Sequence, residues 1–135
     1  MRTLHSYPFL TIYLHEGPSP TLEMSWLGHA TSAEFRGAAL RSLAFSGVHR
    51  IKNWISDDRQ LKDVHLRDLD WVAEIGMKPL AKIGIERFAL LESLDTLNRR
   101  TINEMYQQLT PTLTYEVRRF ESLPHARAWA TGVAA

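Results

Sequence analysis

Ile51-Lys52-Asn53-Trp54-Ile55-Ser56-Asp57-Asp58-Arg59 reads as an extended segment that stops abruptly in two acids and a base. In an open α/β sheet, the groups just past the carboxyl ends of the strands are where ligands bind. The flanking sequence decides whether such a sheet is built. Downstream, Phe88-Ala89-Leu90-Leu91 is a short apolar run of the kind that fills a central strand buried on both faces. Upstream, Leu10, Ile12 and Leu14 alternate with polar residues, as do Leu22, Met24 and Trp26. Strict alternation of this length marks half-buried strands. The turn-rich Glu16-Gly17-Pro18-Ser19-Pro20 joins them into an antiparallel hairpin. Tyr115 and Val117 alternate with charged residues between Thr114 and Phe120, which suits a strand near a sheet edge.

Helical patterns separate these strands. Thr31 precedes Glu34 by three residues, the spacing of a capping box. Phe35, Ala39 and Leu43 then recur every fourth residue, with Leu40 and Ala44 beside them, so an amphipathic helix is expected over 32–46. Gly47 is placed to end it in a left-handed cap. A second helix is expected from His65, carrying Leu69, Val72, Ala73 and Ile75 and broken at Gly76 and Pro79. A short helical piece then leads to Gly84. Asp95 can cap a third helix, with Leu97, Ile102, Met105, Tyr106 and Leu109 on its stripe, and Ser122 a last one with Ala126 and Trp129 inward. The order β-β-α-β-α-β-α-β-α predicts one α/β domain over 1–135, with a mixed, mostly parallel sheet of five strands. Residues 1–8 and 132–135 are expected to be flexible.

Composition narrows the function classes. Sixteen basic and fifteen acidic residues leave a net charge of +1, with the two signs interleaved. A nucleic-acid binder needs a basic surplus to neutralise phosphates, so no nucleic-acid partner is expected. With no cysteine there is no disulfide, thiolate nucleophile or zinc-thiolate site within the chain. The six histidines show no helical metal-binding pair, and the seven glycines are isolated, with no phosphate-cradling loop. No metal or cofactor is therefore expected. Neither a signal peptide nor an apolar run long enough to span a bilayer is visible, which favours a cytoplasmic location.

The stretches Trp54–Arg59, Asp68–Trp71, Pro79–Leu90 and Arg119–Trp129 together resemble a group of small bacterial proteins, mostly of uncharacterised function. These are similar to STAS domains, which include the anti-sigma-factor antagonists, and to CRAL-TRIO lipid-binding domains. The resemblance runs from Leu10 to Trp129 and implies fold more than activity. In the phosphorylatable antagonists a serine opens the helix after a central strand, where a phosphate would change partner docking. The matching Asp57-Asp58-Arg59-Gln60-Leu61 has no serine or threonine, and Ser56 still belongs to the strand. A phosphate beside Asp57 and Asp58 would be repelled, so the resemblance does not carry the switch.

The candidate site gathers Trp54, Ser56, Asp57, Asp58, Arg59, Trp71, Glu92 and Ser93, with the acidic pair expected on an accessible rim. Asp57, Asp58 and Arg59 form either a ligand- or partner-orienting cluster or a loop in which carboxylates cap backbone amides and Arg59 pairs locally. Glu92 and Ser93 either share that cleft or, with Asp95, serve the start of the third helix. Trp54 and Trp71 are core residues or the walls of an apolar pocket. Three functions follow in order of expectation. The first is a non-catalytic regulatory or scaffold module working through protein contacts, including a homodimer. Next comes a binder of a small apolar or lipid-like molecule near Trp54 and Trp71. Last is an enzyme using Asp57 or Asp58.

Overall fold

The computed structural model describes residues 1–133. Six strands form one sheet: β1 (Arg2–Ser6), β2 (Leu10–His15), β3 (Thr21–Trp26), β4 (Asn53–Asp57), β5 (Arg87–Leu91) and β6 (Glu116–Phe120). They lie side by side in chain order. The pairings β1·β2 and β2·β3 are antiparallel, and the three from β3 to β6 are parallel. The expected hairpin, central strand and outer strand are all present. Strand β1 is additional, so residues 1–8 are not a loose leader. Its register slips between Thr3 and His5, a bulge of the kind that blunts an exposed sheet edge. Of 132–135, Gly132 takes φ 74 and caps the last helix, while Ala134 and Ala135 lie outside the described residues.

Alternation divides the strands between two faces. Leu10, Ile12, Leu14, Leu22, Met24, Trp26, Trp54, Phe88 and Leu90 belong to the main core. Helices α1 (Ser32–Val48), α2 (Leu66–Trp71), α3 (Leu80–Ile83) and α4 (Thr96–Leu109) enclose that face. Helix α5 (Leu123–Thr131) covers part of the other face, packing Ala126 and Ala130 against Ile55, Ala89 and Leu91. None of these helices is long and apolar enough to cross a membrane among the described residues.

Helix α1 starts as expected, with Thr31 and Glu34 completing a capping box. Its buried stripe is different. Phe35, Ala38, Ala39, Ser42 and Ser46 face inward, while Leu40 is half exposed. Ser42 Oγ donates to the Ala38 carbonyl and Ser46 Oγ to that of Ser42, so the hydroxyls are satisfied within the helix. Small inward side chains then allow close approach to the neighbouring elements. Gly47 continues the helix rather than ending it. Arg50, at φ 51, takes the left-handed position instead.

The break expected at Gly76 is a widening rather than a stop. Helix α2 runs straight into a π-helical turn, Val72–Met77, whose last bond is donated by Lys78 N–H to the Ala73 carbonyl at 3.1 Å. Pro79, which cannot donate, then begins α3 as its cap. Such single wide turns concentrate at functional positions. Ile75 is turned outward here, and Gly76 and Met77 are buried. A Cβ on Gly76 would stand 2.7 Å from Val72 Cγ2, an atom held on a stiff β-branched side chain. Gly76→Ala would gain about 1 kcal/mol in an ordinary helix interior. Here overpacking is expected to reverse the sign, to a loss of about 1 kcal/mol. A lower urea midpoint with unchanged slope is the expected reading.

Candidate functional site

Strand β4 carries the candidate residues, and its pleat separates them. Trp54 and Ser56 point to the main core, whereas Ile55 and Asp57 point to the α5 face. Asp58 follows the strand's last residue, and its N–H donates to the Leu91 carbonyl of β5 at 2.9 Å. Its side chain turns back to the Trp54 and Ser56 side. The two adjacent carboxyls therefore do not work as a pair. Both stand at the carboxyl edge of the sheet as expected, but neither is accessible. Asp57 is 6% exposed and Asp58 5%.

Asp57 is spoken for locally. Arg59 donates Nε to Oδ1 at 2.9 Å and a terminal guanidinium nitrogen to Oδ2 at 2.8 Å, a two-point clamp. The Arg59 N–H also donates to Oδ1 at 3.3 Å. Glu92 accepts from Asn103 Nδ2 at 2.8 Å and stands 3.6 Å from the Arg119 guanidinium. Ser93 is buried and donates Oγ to the Leu61 carbonyl at 2.9 Å. The same carbonyl accepts from Asn98 Nδ2 at 2.8 Å, and Asn98 Oδ1 accepts from Val64 N–H. Ser93 and Asn98 thus fasten the loop after β4 to the start of α4, which Asp95 caps. Nothing in the sequence singled out Asn98, a polar residue within a helical stripe.

Above Ser56 and Asp58 lies a cavity of about 70 Å³ between the sheet and the helices. Its floor is Met24 and Trp26 of β3, Trp54 and Ser56 of β4, and Phe88 of β5. Its roof takes Phe35 and Ala39 from α1, Leu69 from α2, Val72, Gly76 and Met77 from the π-helical turn, Leu80 from α3, and Ile102, Met105 and Tyr106 from α4. Five aromatic rings are packed into this wall. Trp54 and Phe88 stack at 6.2 Å between centroids, Trp26 and Phe35 at 5.2 Å, and Phe88 meets Tyr106 at 6.2 Å. Of the two tryptophans weighed as core residues or pocket walls, Trp54 lines this wall and Trp71 does not. The Trp71 ring lies beneath the Arg36 guanidinium at 5.2 Å, and Arg36 is itself tied to buried Asp68 at 2.9 Å. Trp26 supplies the second indole instead.

Two ionisable groups line this apolar space. Asp58 Oδ1 accepts from Ser56 Oγ at 2.6 Å, and Oδ2 has no partner among the described residues. Burial pushes the Asp58 carboxyl up to about 7, the Ser56 hydrogen bond opposes that rise, and the Asp57 charge adds to it. Tyr106 is also buried as a residue, and its hydroxyl, which reaches the cavity, makes no hydrogen bond among the described residues. Burial, and then the Asp58 charge, push it well above its usual value. Both residues line the cavity, and neither of these oxygens is among the fully buried atoms left without a partner, so the two are open to the cavity space.

A second polar cluster lies on the α5 face. Glu23, 1% exposed, accepts two bonds from the Arg127 guanidinium, each 2.8 Å, and stands 2.8 Å from His15 Nε2. Burial alone would raise the Glu23 carboxyl, but Arg127 and His15 outweigh it and hold the group below its ordinary range. The β3 alternation placed Glu23 opposite the core, yet no local signal announced a partner more than a hundred residues away. No group of three His, Asp or Glu side chains converges as a metal site among the described residues.

No family model and no curated protein sequence matches the chain. Its structure is similar to the crystal structure of an uncharacterized protein from the DUF3478 family with a SpoIIAA-like fold, from Shewanella loihica PV-4. The TM-score is 0.59 at 17% identity, with 90% of this chain and 93% of that one covered. The fold is therefore SpoIIAA-like, which is the STAS-like architecture that the strand-end pattern resembles. At that identity the likeness speaks of fold alone.

Proposed function

We propose that the protein is a binding module for a small, largely apolar molecule with one polar end, taken into the cavity between β4 and the helices. The supporting observation is that Asp58 Oδ2 and the Tyr106 hydroxyl, without hydrogen-bond partners among the described residues, line a wall that is apolar and aromatic apart from Ser56. Binding pockets are typically built this way, with a mostly hydrophobic lining and a few polar groups that fix orientation. The π-helical turn favours the same reading, because it provides three wall residues. Chemistry on a bound molecule is not needed to explain the site.

A regulatory role through protein contacts is a second reading, supported by the SpoIIAA-like fold and by exposed apolar side chains at the sheet's carboxyl rim. Leu94, 72% exposed, and Leu27 stand beside Arg59 there. A phosphoserine switch receives no support, because the Ser56 hydroxyl is buried against Asp58.

Native mass spectrometry of gently purified protein addresses both readings, since it reports bound mass and dimer mass together. Titration with n-butanol, followed through the fluorescence of Trp26 and Trp54, is expected to saturate. In Ala39→Leu, which fills the cavity from α1, affinity should fall at least ten-fold while the thermal midpoint stays near that of the native chain. Absence of saturation in the native chain, with no bound mass, would remove the ligand reading. A monomer mass alone would remove the dimer.

A further inference from the structure

The polar end of that ligand has a chemistry that the cavity itself selects. We propose that it is a small organic ammonium group, seated between Asp58 and Tyr106 inside the aromatic wall; this assignment rests on the ligand reading above. Three features converge on it.

The free acceptor is a carboxyl oxygen. Asp58 Oδ1 is occupied by Ser56, and Oδ2 remains for the ligand. An ammonium donates to that oxygen and can donate again to the Tyr106 oxygen, which accepts as well as donates. A carboxylate ligand would instead bring a second negative charge beside Asp58, with Asp57 close behind it. The wall supplies no cation to offset that charge. Side chains lining the cavity from α1, α2, the π-helical turn, α3 and β5 are all uncharged.

The rings form the second feature. Trp26, Phe35, Trp54, Phe88 and Tyr106 all face the space. Their electron-rich faces attract a desolvated cation, and an aromatic enclosure is a recurring way to hold an alkylated ammonium. A neutral alcohol gains none of this.

Size is the third. A cavity of about 70 Å³ admits a compact head and a short alkyl chain rather than a long acyl tail.

The test compares three four-carbon probes that differ only in the head: n-butylammonium, n-butanol and butyrate. Calorimetric titration at pH 8 is expected to show the ammonium binding at least ten-fold more tightly than the alcohol, and butyrate more weakly than either. Asp58→Asn should abolish the preference while butanol still binds, and Tyr106→Phe should reduce it. Lowering the pH to 5.5 should shrink the preference in the native chain as Asp58 takes up its proton. The titratable and charged groups near Asp58 are Asp57 behind it and Tyr106 across the cavity, with Arg119 acting on Tyr106 from β6. Ala39→Leu should lose binding of all three probes, which separates the cavity from surface carboxylates. Equal affinity for alcohol and ammonium, or tighter binding of butyrate, would overturn the ammonium assignment and leave the cavity reading standing. If no probe binds, both fall.

Discussion

Asp58→Asn is expected to be more stable than the native chain at pH 8, by about 2 kcal/mol, and to lose that advantage by pH 4. The reason is a carboxyl forced into apolar surroundings. In the unfolded chain it titrates near its ordinary value of 3.8, and in the folded chain at about 7. A group whose folded value is raised holds its proton longer in the native state. Its contribution is fully present below the unfolded value and drains away as pH rises toward the folded one. At roughly 1.4 kcal/mol per pKa unit, the native chain gives up about 4 kcal/mol between those limits. Asparagine cannot ionise, so the variant avoids that loss. It retains an oxygen for Ser56 but places a buried amide against the cavity, which costs about 1–3 kcal/mol and sets the net gain. Paired urea titrations at pH 4, 6 and 8 isolate the effect, since other acids titrate alike in both chains. A constant difference across that range would show that Asp58 is an ordinary solvated carboxylate.

The sequence displays this conflict only in part. Trp54-Ile55-Ser56-Asp57-Asp58 announced a strand and its end correctly, because apolar runs that meet acids are local signals. The strand's pleat also separates the two carboxyls, since neighbours in extended backbone point to opposite faces. The depth of each was not legible. Asp57 is buried by its clamp with Arg59, and Asp58 by a roof made of residues 35–39, 69–80 and 102–106. Burial of that kind depends on where several helices come to rest.

Other misreadings have similar causes. Arg2–Ser6 offers one apolar residue, Leu4, and its bulge breaks the alternation that would have betrayed β1. The spacing puts Leu97 on the inner stripe of α4, but it lies in the first turn beyond the roof and is 72% exposed. In α1, the leucines looked like the inward face because apolar bulk is the usual guide. The serine and alanine stripe won because close helix packing there needs small side chains whose hydroxyls bond within the helix. Trp71 kept company with the site in sequence, but Arg36, bound to Asp68, holds its ring outside the cavity. In each case local pattern gave the element, and tertiary packing decided which side of it mattered.

The α5 face carries the second large effect. Arg127→Met is expected to destabilise the protein by about 3 kcal/mol at pH 7, because it strands the buried Glu23 charge. Arg127 supplies two of the hydrogen bonds that Glu23 accepts, and His15 contributes the remaining contact. Methionine preserves much of the packing length of arginine, so the loss reports charge rather than a void. The pH dependence has the opposite sense to that of Asp58. Glu23 is held below its ordinary value of 4.5, so the stability it contributes is present above that value. It is lost as pH falls through the depressed folded value. The gap between the native chain and Arg127→Met should therefore be widest near neutrality and narrow in acid, once Glu23 protonates in both. Adding Glu23→Gln to Arg127→Met should recover at least half of the neutral-pH loss, since a neutral amide needs no counter-charge. A double variant as unstable as the single one would mean that the loss does not come from stranding the Glu23 charge, and that the Arg127 guanidinium acts through its other contacts. Full recovery would identify the ion pair as dispensable for stability, leaving orientation of α5 over β4 and β5 as its contribution to the fold.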